Sequence, residues 1–552
     1  MLLDFEEPEK DDTDALWELV SRSQPERART SSDTDRATTA KDNSSRCLST
    51  EHQFGGESRA SGEQSTPKEG IKNETEARRK QSARRQARQV HHAERQSEAE
   101  KEKSQEKGNS GIVKQTQQEQ TSEQNKRMVQ PRRSMILFVF VLGIAFLASW
   151  LVYRFQQSEA ELSIPWIPSP DARLFSQRPL PPVNEKLLLS SSEYKLPLQT
   201  KGRDIVDQNG NRFKLSSVNW YGASDELFIP GGLDIQHRDM IANTIKKLGF
   251  NSVRMPYSDE MVMTNPTVLP HLLTANPDLI GKRALDIFVA SVEALTDAGL
   301  AVIINNHITS AVWCCGADPC DAGWANDHLG PLCRVKQTEE QWIEHWETVM
   351  ERFLENPLVI GADLRNEVRG LWGTMPWDKW ATAAEKCGNK LLKLKKDWLI
   401  IVEGTESANH LRYVGKRPVV LDVPNRVVYS AHVYSWSGWG SSEGRYSKRT
   451  YASFVDAMRT NWAYLVEDDI APVWIGEFGA PNHPGQGDAN YWANLMRYLK
   501  AIDADFGYWA VNPRKPKDNE KESYSLVKDD WVTPVLDYRL KDMTELMVPR
   551  KT

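Results

Sequence analysis

Apolar runs of strand length alternate with amphipathic stretches of helix length over residues 205–511. The predicted strands are 215–221, 252–256, 301–306, 359–365, 399–403, 427–433, 473–476 and 506–511. The predicted helices are 237–248, 281–298, 338–354, 377–396, 450–467 and 488–502. Continuous apolar strands that alternate with helices are typical of a parallel sheet covered on both faces. Eight of them predict an α/β fold of the (β/α)8 or TIM-barrel type, with a hairpin at 205–214 around Asn209-Gly210 over its N-terminal face.

An open, doubly wound sheet is the alternative architecture. Its ligands bind in one crevice, where the strand order reverses. Here polar residues end six or more of the predicted strands, and a closed ring of loops brings so many strand ends together more readily. The pattern therefore favours the barrel.

Two of the predicted strands deliver a glutamate at or just beyond their C-terminal ends. The segments are Ile360-Gly-Ala-Asp-Leu-Arg-Asn-Glu367 and Pro472-Val-Trp-Ile-Gly-Glu477. In a parallel barrel, chemistry is built at this end of the strands. Cleavage of a glycosidic bond requires one carboxylic acid and one carboxylate on either side of the bond. Alternatively, both glutamates are ordinary strand-end residues in ion pairs.

Composition divides the rest of the chain into three parts. Residues 1–134 carry too few apolar side chains to offset the entropy of folding and are predicted to be a disordered tail. Residues 135–153, MILFVFVLGIAFLASWLVY, have no charge and are long enough for a transmembrane helix. Residues 154–198 contain repeated prolines and are predicted to be an extended stalk. The barrel domain is expected over 199–545.

Basic residues lie on one side of the apolar segment. Lys126, Arg127, Arg132 and Arg133 precede it, whereas Glu159 and Glu161 follow its single flanking Arg154. The positive-inside rule predicts a single-pass type II membrane protein, with the tail in the cytosol and the barrel in a lumen or outside the cell.

Cysteines are concentrated on the side predicted to be oxidising. Cys314, Cys315, Cys320, Cys333 and Cys387 permit one or two disulfides and leave at least one thiol free, but their order does not select a pairing. A zinc site within 314–333 is the alternative, although the spacing matches no standard motif. We expect no metal and no other cofactor. A net charge of −6 indicates no nucleic-acid partner, and we expect a monomer.

Short motifs end or flank most of the predicted strands. They are Val-Asn-Trp-Tyr-Gly, Val-Arg254-Met-Pro, Asn-Asn-His307, Arg-Asn366-Glu367, Ala-His432-Val-Tyr434, Gly-Glu477-Phe-Gly and Tyr-Trp509. Together they resemble glycoside hydrolase family 5, the cellulase group. The tract 423–432 and the ending 526–531 resemble its endoglucanase branch. Val368 departs from the family pattern, which usually has proline after the acid, and the loop 514–523 is more charged than expected.

The resemblance implies a retaining enzyme in which Glu367 is the general acid and base and Glu477 is the nucleophile. Arg254 and Tyr434 would hold Glu477 ionised and oriented, and Asn366 would bind the sugar 2-hydroxyl. His307 and His432 would bind hydroxyls or tune Glu367. Aromatic faces that could stack on sugar rings are offered by Trp509 and by the loop residues Trp313, Trp372, Trp436 and Trp439.

These residues predict a glycosidase acting on a β-linked glucan, most similar to an endo-β-1,4-glucanase that works on cell-wall or extracellular polysaccharide. Within the enzyme class, a β-mannanase or a glycolipid-directed β-glycosidase is the alternative. Outside it, the alternative is a non-catalytic glycan-binding barrel, which the retention of both glutamates disfavours.

Overall fold

A computed structural model describes residues 115–189, 193–316, 318–370, 375–438, 441, 443–516 and 519–548. The strands are β1 (Gln199–Lys201), β2 (Asp204–Val206), β3 (Ser216–Asn219), β4 (Ser252–Ser258), β5 (Ala301–Ile308), β6 (Val359–Asp363), β7 (Leu399–Glu403), β8 (Val427–Val433), β9 (Val473–Phe478) and β10 (Asp505–Tyr508). The α-helices are α1 (Gln115–Ser163), α2 (Pro170–Phe175), α3 (Arg238–Lys247), α4 (Asp259–Thr264), α5 (Ala284–Asp297), α6 (Glu339–Met350), α7 (Trp377–Leu394), α8 (Thr405–Ala408), α9 (Tyr451–Met458), α10 (Tyr464–Glu467), α11 (Gln486–Ile502) and α12 (Tyr538–Met547).

Strands β3 to β10 form a closed parallel barrel in sequence order. The ring closes where β10 pairs with β3, with Phe506 opposite Ser216 and Tyr508 opposite Val218. This closure confirms the (β/α)8 prediction and excludes the open sheet. Each of the eight predicted strands corresponds to one barrel strand, so the C-terminal strand ends meet on one face of the ring.

A hairpin and an apolar cluster close the opposite, N-terminal end. Ile205 and Phe213 pack there with Leu399 and Trp474. The predicted hairpin is present there, since Val206 bridges Arg212 in antiparallel register and the Phe213 N–H donates to the Ile205 carbonyl at 2.9 Å. Strand β2 also pairs with β1, after a turn at Gly202. The predicted Asn209-Gly210 turn follows β2 and is held by the Asp207 carboxylate, which accepts hydrogen bonds from the amides of residues 209 and 211.

The apolar segment lies in the long helix α1. An 18-residue window within its residues 135–162 has a mean hydropathy of 2.7 and is not buried, so by length and composition this part can cross a membrane. Residues 115–134, predicted to belong to a disordered tail, are helical. They are rich in Gln, Glu and Lys, which favour helix and extend it backwards from the apolar segment. The rest of the predicted tail, 1–114, lies outside the described residues.

The predicted stalk differs from the structure. Helix α1 continues to Ser163, and the chain beyond it lies against the barrel. The Trp166 ring meets Tyr538 with ring centroids 5.2 Å apart, and its backbone N–H donates to Pro484 O at 3.0 Å. Ala172 and Leu188 are buried in the barrel's core. Burying these apolar side chains removes apolar surface from water, and this free energy favours docking on the barrel over the extended conformation that the prolines suggested.

The described part of the chain contains two disulfides, in agreement with the prediction of one or two bridges. They join Cys314 to Cys315 and Cys320 to Cys333, and Cys387 is a buried free thiol. Cys320 and Cys333 are separated by 13 positions, so their bridge restricts the unfolded chain.

We therefore expect the double variant Cys320→Ser/Cys333→Ser to lose about 3 kcal/mol of unfolding free energy, the loss of a bridge that closes a loop of this length. Denaturant unfolding measures this loss. The matched control is Cys314→Ser/Cys315→Ser, because a bridge between adjacent residues restricts the unfolded chain little. Equal losses in the two variants would contradict the entropic explanation.

Candidate active site

A buried arginine organises the C-terminal face of the barrel. Arg254, from β4, has no solvent exposure. Its guanidinium donates to the carboxylates of Asp363 (2.8 Å), Glu403 (2.9 Å) and Glu477 (2.5 Å) and to the amide oxygens of Asn366 (2.7 Å) and Asn219 (3.0 Å). One side chain thus fixes five residues from four other strands or the loops that follow them.

The charges around Arg254 explain why it stays ionised. Burial opposes its charge, but the attraction of Asp363, Glu477 and Glu403 is larger, so the pKa of the Arg254 guanidinium is raised. Burial, together with Asp363, raises the pKa of Glu403 well above its ordinary value. Because one cation serves three carboxylates, loss of Arg254 would leave buried negative charge without a partner.

Glu477 lies in β9 and is held at both carboxylate oxygens. Arg254 donates to Oε1, and the Tyr434 hydroxyl donates to Oε2 at 2.9 Å. Two donors fix the direction of the carboxylate lone pairs. Glu477 is therefore an oriented carboxylate at the floor of the cleft.

Glu367 follows β6 and has a different environment. Its φ of 47° lies in the left-handed region, which is uncommon for a residue with a side chain and is often found at functional sites. The Glu403 carboxylate accepts its backbone N–H at 2.7 Å and so stabilises this conformation. Burial raises the pKa of Glu367 to about 7, although Arg369 and Arg254 oppose the rise. This carboxyl group can keep a proton near neutral pH.

His432 connects the two glutamates. Its Nδ1 lies 3.2 Å from Glu367 Oε1 and 3.7 Å from Glu477 Oε2. Burial lowers the pKa of His432 to about 4, so the imidazole is neutral at neutral pH. One ligand atom from each of Glu367, His432 and Glu477 lies within 4.8 Å of the others. The two carboxylates therefore face one small volume.

His307 stands across the cleft at the end of β5. Its Nδ1 lies 2.8 Å from Asn305 Oδ1, and the Asn305 amide nitrogen is committed to Asp363. Asn305 must therefore accept at its oxygen, which places the proton of a neutral imidazole on Nδ1. Burial lowers the pKa of His307 well below its usual range. The ring stacks on Trp509, with centroids 5.5 Å apart.

Aromatic rings line the walls of the cleft. Trp509 stacks on Tyr221 at 4.9 Å, and Trp436 stacks on Tyr434 at 4.4 Å. Trp313 is partly exposed, and the Lys515 ammonium lies 4.9 Å from its ring centroid. The space between the rings is about 370 Å³, and an adjoining cavity of about 850 Å³ opens beyond Trp436. Two further predicted stacking residues, Trp372 and Trp439, lie outside the described residues.

The structure brings together all eight residues expected to carry or support the chemistry, and two of the four predicted loop tryptophans. Sequence reasoning assigned no role to Glu403, Asp363, Asn219 or Arg369. Glu403 carried the clearest signal, because it ends β7 after a wholly apolar run, as Glu477 ends one in β9. The Arg369 guanidinium donates to the Glu367 carbonyl at 3.2 Å and to the Gly316 carbonyl at 2.9 Å.

Two sets of side chains in the described residues are close enough to hold a metal ion. One is Glu367, His432 and Glu477, and the other is His307, Cys314 and Cys315. The first set consists of the paired glutamates and the imidazole between them. The second lies at the wall of the cleft.

A closed (β/α)8 barrel with two differently tuned carboxyl groups facing one aromatic-walled cleft defines a hydrolase of O-glycosyl bonds. Comparison with known proteins then identifies the family. The chain belongs to the cellulase family, glycosyl hydrolase family 5, which matches residues 206–515.

Individual relatives agree with this membership. An endoglucanase of Paenibacillus polymyxa is 32% identical over 356 residues, which cover 60% of this chain and 83% of the relative. The major extracellular endoglucanase of Xanthomonas campestris pv. campestris is 26% identical over 357 residues, which cover 60% of this chain and 67% of the relative. A solved structure of the hyperthermophilic endocellulase of Pyrococcus horikoshii matches with a TM-score of 0.54 and 25% identity, over 64% of this chain and 99% of that one.

Proposed function

We propose that this protein is a retaining endo-β-1,4-glucanase that cleaves a β-linked glucan. The observation that carries the proposal is the pairing of Glu367 and Glu477 in unlike environments, with oxygens within 4.8 Å of each other. Retaining enzymes hold their carboxyl groups about 5–5.5 Å apart, whereas inverting enzymes need about 6.5–9.5 Å to admit a water. Relatives named endoglucanases support the choice of substrate.

Glu477 is the proposed nucleophile. Its carboxylate attacks the anomeric carbon of the bound sugar and forms a covalent glycosyl ester, as retaining enzymes do. Arg254 and Tyr434 orient its two oxygens before the substrate arrives, so less reorganisation is needed at the moment of reaction.

Glu367 is the proposed general acid and base. It gives its proton to the leaving glycosidic oxygen and then takes one from the water that hydrolyses the ester. The raised pKa suits both roles, because the group is protonated in the first step and becomes ionised for the second. His432, neutral and 3.2 Å away, positions the carboxyl group without competing as a cation.

Sugar rings are proposed to stack on the aromatic walls, with Trp509 on one side and Trp436 on the other. The Asn366 amide oxygen accepts a hydrogen bond from the Arg254 guanidinium at 2.7 Å, which turns the amide nitrogen toward the cleft. That nitrogen is placed to donate to the sugar 2-hydroxyl, a contact that strengthens in the transition state. His307 Nε2 is free to accept from a further hydroxyl.

The pH dependence of activity follows from Glu367. Because the acid must be protonated, we expect kcat/KM to fall as the pH rises through about 7. Arg369 opposes the raised pKa, so Arg369→Gln should move this alkaline limb to higher pH, whereas the control Arg369→Lys should leave it nearly in place. A pH–rate profile of the three proteins measures the shift, and a limb that moves to lower pH in Arg369→Gln would contradict the assignment.

The proposed substrate is tested by assaying the purified full-length chain in detergent on soluble β-1,4-glucan, mixed-linkage β-glucan, β-mannan and β-glucosylated lipid. We expect internal cleavage of the β-1,4-glucan, seen as a rapid fall in viscosity relative to the release of reducing ends. Faster hydrolysis of mannan or glycolipid would replace β-1,4-glucan as the proposed substrate. If none of the four is hydrolysed, the remaining hypothesis is a non-catalytic glycan-binding barrel.

We further propose that α1 anchors the chain as a type II membrane protein, with the catalytic domain in a lumen or outside the cell. The exposed apolar face of 135–155 and the upstream basic residues support this orientation. Protease added to sealed microsomes should trim the N-terminal tail and spare a fragment that contains residues 160–552. Digestion of the barrel with the tail protected would reverse the orientation.

A further inference from the structure

The loop after β5 brings two adjacent sulfurs to the proposed active site. Cys314 and Cys315 line the cleft and are partly exposed. The Asn366 amide nitrogen lies 3.4 Å from Cys314 Sγ and 3.2 Å from Cys315 Sγ. Arg369 holds the next residue of this loop through the Gly316 carbonyl. The sulfurs therefore contact a group that the proposed mechanism uses.

An imidazole completes a three-atom cluster. A ring nitrogen of His307 and the two sulfurs all lie within 4.8 Å of one another. Asn305 binds Nδ1, so Nε2 carries the free lone pair. A tetrahedral zinc ion with bonds of about 2.3 Å to sulfur and about 2.0–2.1 Å to nitrogen separates its ligand atoms by roughly 3.5–3.8 Å. Reduction breaks the bond between the two sulfurs and allows them to separate to this spacing.

We propose that Cys314, Cys315 and His307 form a redox-gated site for a soft or borderline divalent cation such as Zn²⁺ or Cd²⁺, and that occupancy of this site blocks the cleft. In the disulfide the two sulfurs are bonded to each other and neither is a thiolate, so the site is closed to metal. As two thiols they offer the sulfur ligands that such ions prefer, and the imidazole adds nitrogen. Sequence alone disfavoured a zinc site within 314–333, because the spacing matches no standard motif.

The chemical step balances with an added reductant. A trialkylphosphine transfers two electrons to the Cys314–Cys315 bond. One water supplies the two thiol protons, and its oxygen leaves as the phosphine oxide. A divalent ion then displaces both protons to solvent and binds both sulfurs and His307 Nε2. An ion so placed lies against Asn366, where the proposed mechanism puts the sugar.

The test uses full-length protein in detergent, reduced with a trialkylphosphine, freed of reductant and titrated with CdCl₂. The expected result is one Cd²⁺ per chain, an ultraviolet thiolate-to-cadmium charge-transfer band, and loss of at least about nine-tenths of the hydrolytic activity. A chelator should reverse all three effects, and unreduced protein should show none of them. The inhibition readout rests on the proposed function, whereas metal uptake and the band do not, so an inactive protein still tests the site.

Matched variants locate the site. Cys314→Ser/Cys315→Ser should lose the band, whereas Cys320→Ser/Cys333→Ser should keep it. His307→Gln should keep part of the band but bind Cd²⁺ at least about tenfold more weakly. Thermal melting confirms that each variant is folded. The proposal is overturned if reduced wild type takes up no Cd²⁺, if the band survives in Cys314→Ser/Cys315→Ser, or if Cd²⁺ inhibits the unreduced protein equally.

Discussion

Glu477→Gln should lower kcat on every hydrolysed substrate by roughly 10⁶-fold, the scale seen when a catalytic nucleophile is removed. The amide is nearly the same size as the carboxylate but cannot form the glycosyl ester. Substrate affinity should change much less, because the aromatic walls and Asn366 are intact. Steady-state kinetics on β-1,4-glucan, with substrate binding followed by calorimetry, separates the two effects.

The control for Glu477→Gln is Tyr434→Phe, which removes the 2.9 Å hydrogen bond to Glu477 but keeps the carboxylate. Its loss of kcat should be far smaller. Melting temperatures show whether the buried Arg254, which loses a charged partner in Glu477→Gln, still supports the fold. Turnover by folded Glu477→Gln within tenfold of wild type would remove Glu477 from the role of nucleophile.

Glu367→Ala should have an effect that depends on the leaving group. Hydrolysis of a glucan or an alkyl glucoside should fall by about 10²–10⁴-fold, because the departing alkoxide needs a proton. Formation of the intermediate from an activated aryl glucoside should fall much less, because its phenolate leaves without help. Rates for a series of aryl glucosides with different phenol pKa values measure the dependence, which should be steep in Glu367→Ala and shallow in wild type.

Azide distinguishes the two possible stereochemical courses in Glu367→Ala. Removal of the side chain leaves room beside the anomeric carbon, and azide needs no general base. Attack on an α-linked ester of Glu477 gives a β-glycosyl azide, so rescue with this product is expected. An α-glycosyl azide, or an inverted first product from wild type observed by NMR, would contradict the retaining mechanism and with it the role of Glu477.

The sequence was most informative where the pattern of apolar residues alone decides the structure. Strand-length apolar runs must be buried on both faces, so the strands of the barrel and the two glutamates at their ends could be predicted. The ion cluster around Arg254 could not, because it depends on the angular order of strands around a closed ring. In the sequence, Asp363 and Glu403 look like ordinary strand residues. Their role becomes visible only in the structure, where Arg254 from β4 donates hydrogen bonds to both.

Two other differences have a similar cause. Residues 154–198 were predicted to be an extended stalk from their prolines, yet Trp166 and Leu188 have apolar partners on the barrel that the local sequence does not reveal. The pairing of four cysteines was also undetermined, since disulfide formation requires Cβ atoms to meet in space. Arg369 was overlooked because the turn after Glu367, which brings its charge back to the acid, is not visible in the local sequence.

The docking of the end of α1 restricts where the enzyme can work. Glu159 pairs with Arg445 at 3.0 Å and Lys448 at 3.4 Å, and Leu162 packs on Gly487. The loops after β8 and β9 that receive α1 belong to the same barrel face as the cleft. A domain on a flexible tether takes up many positions relative to its anchor. These contacts instead fix the distance and orientation of the barrel relative to the end of α1. If α1 spans a bilayer as proposed, the enzyme selects glycans by their distance from the membrane surface as well as by their linkage.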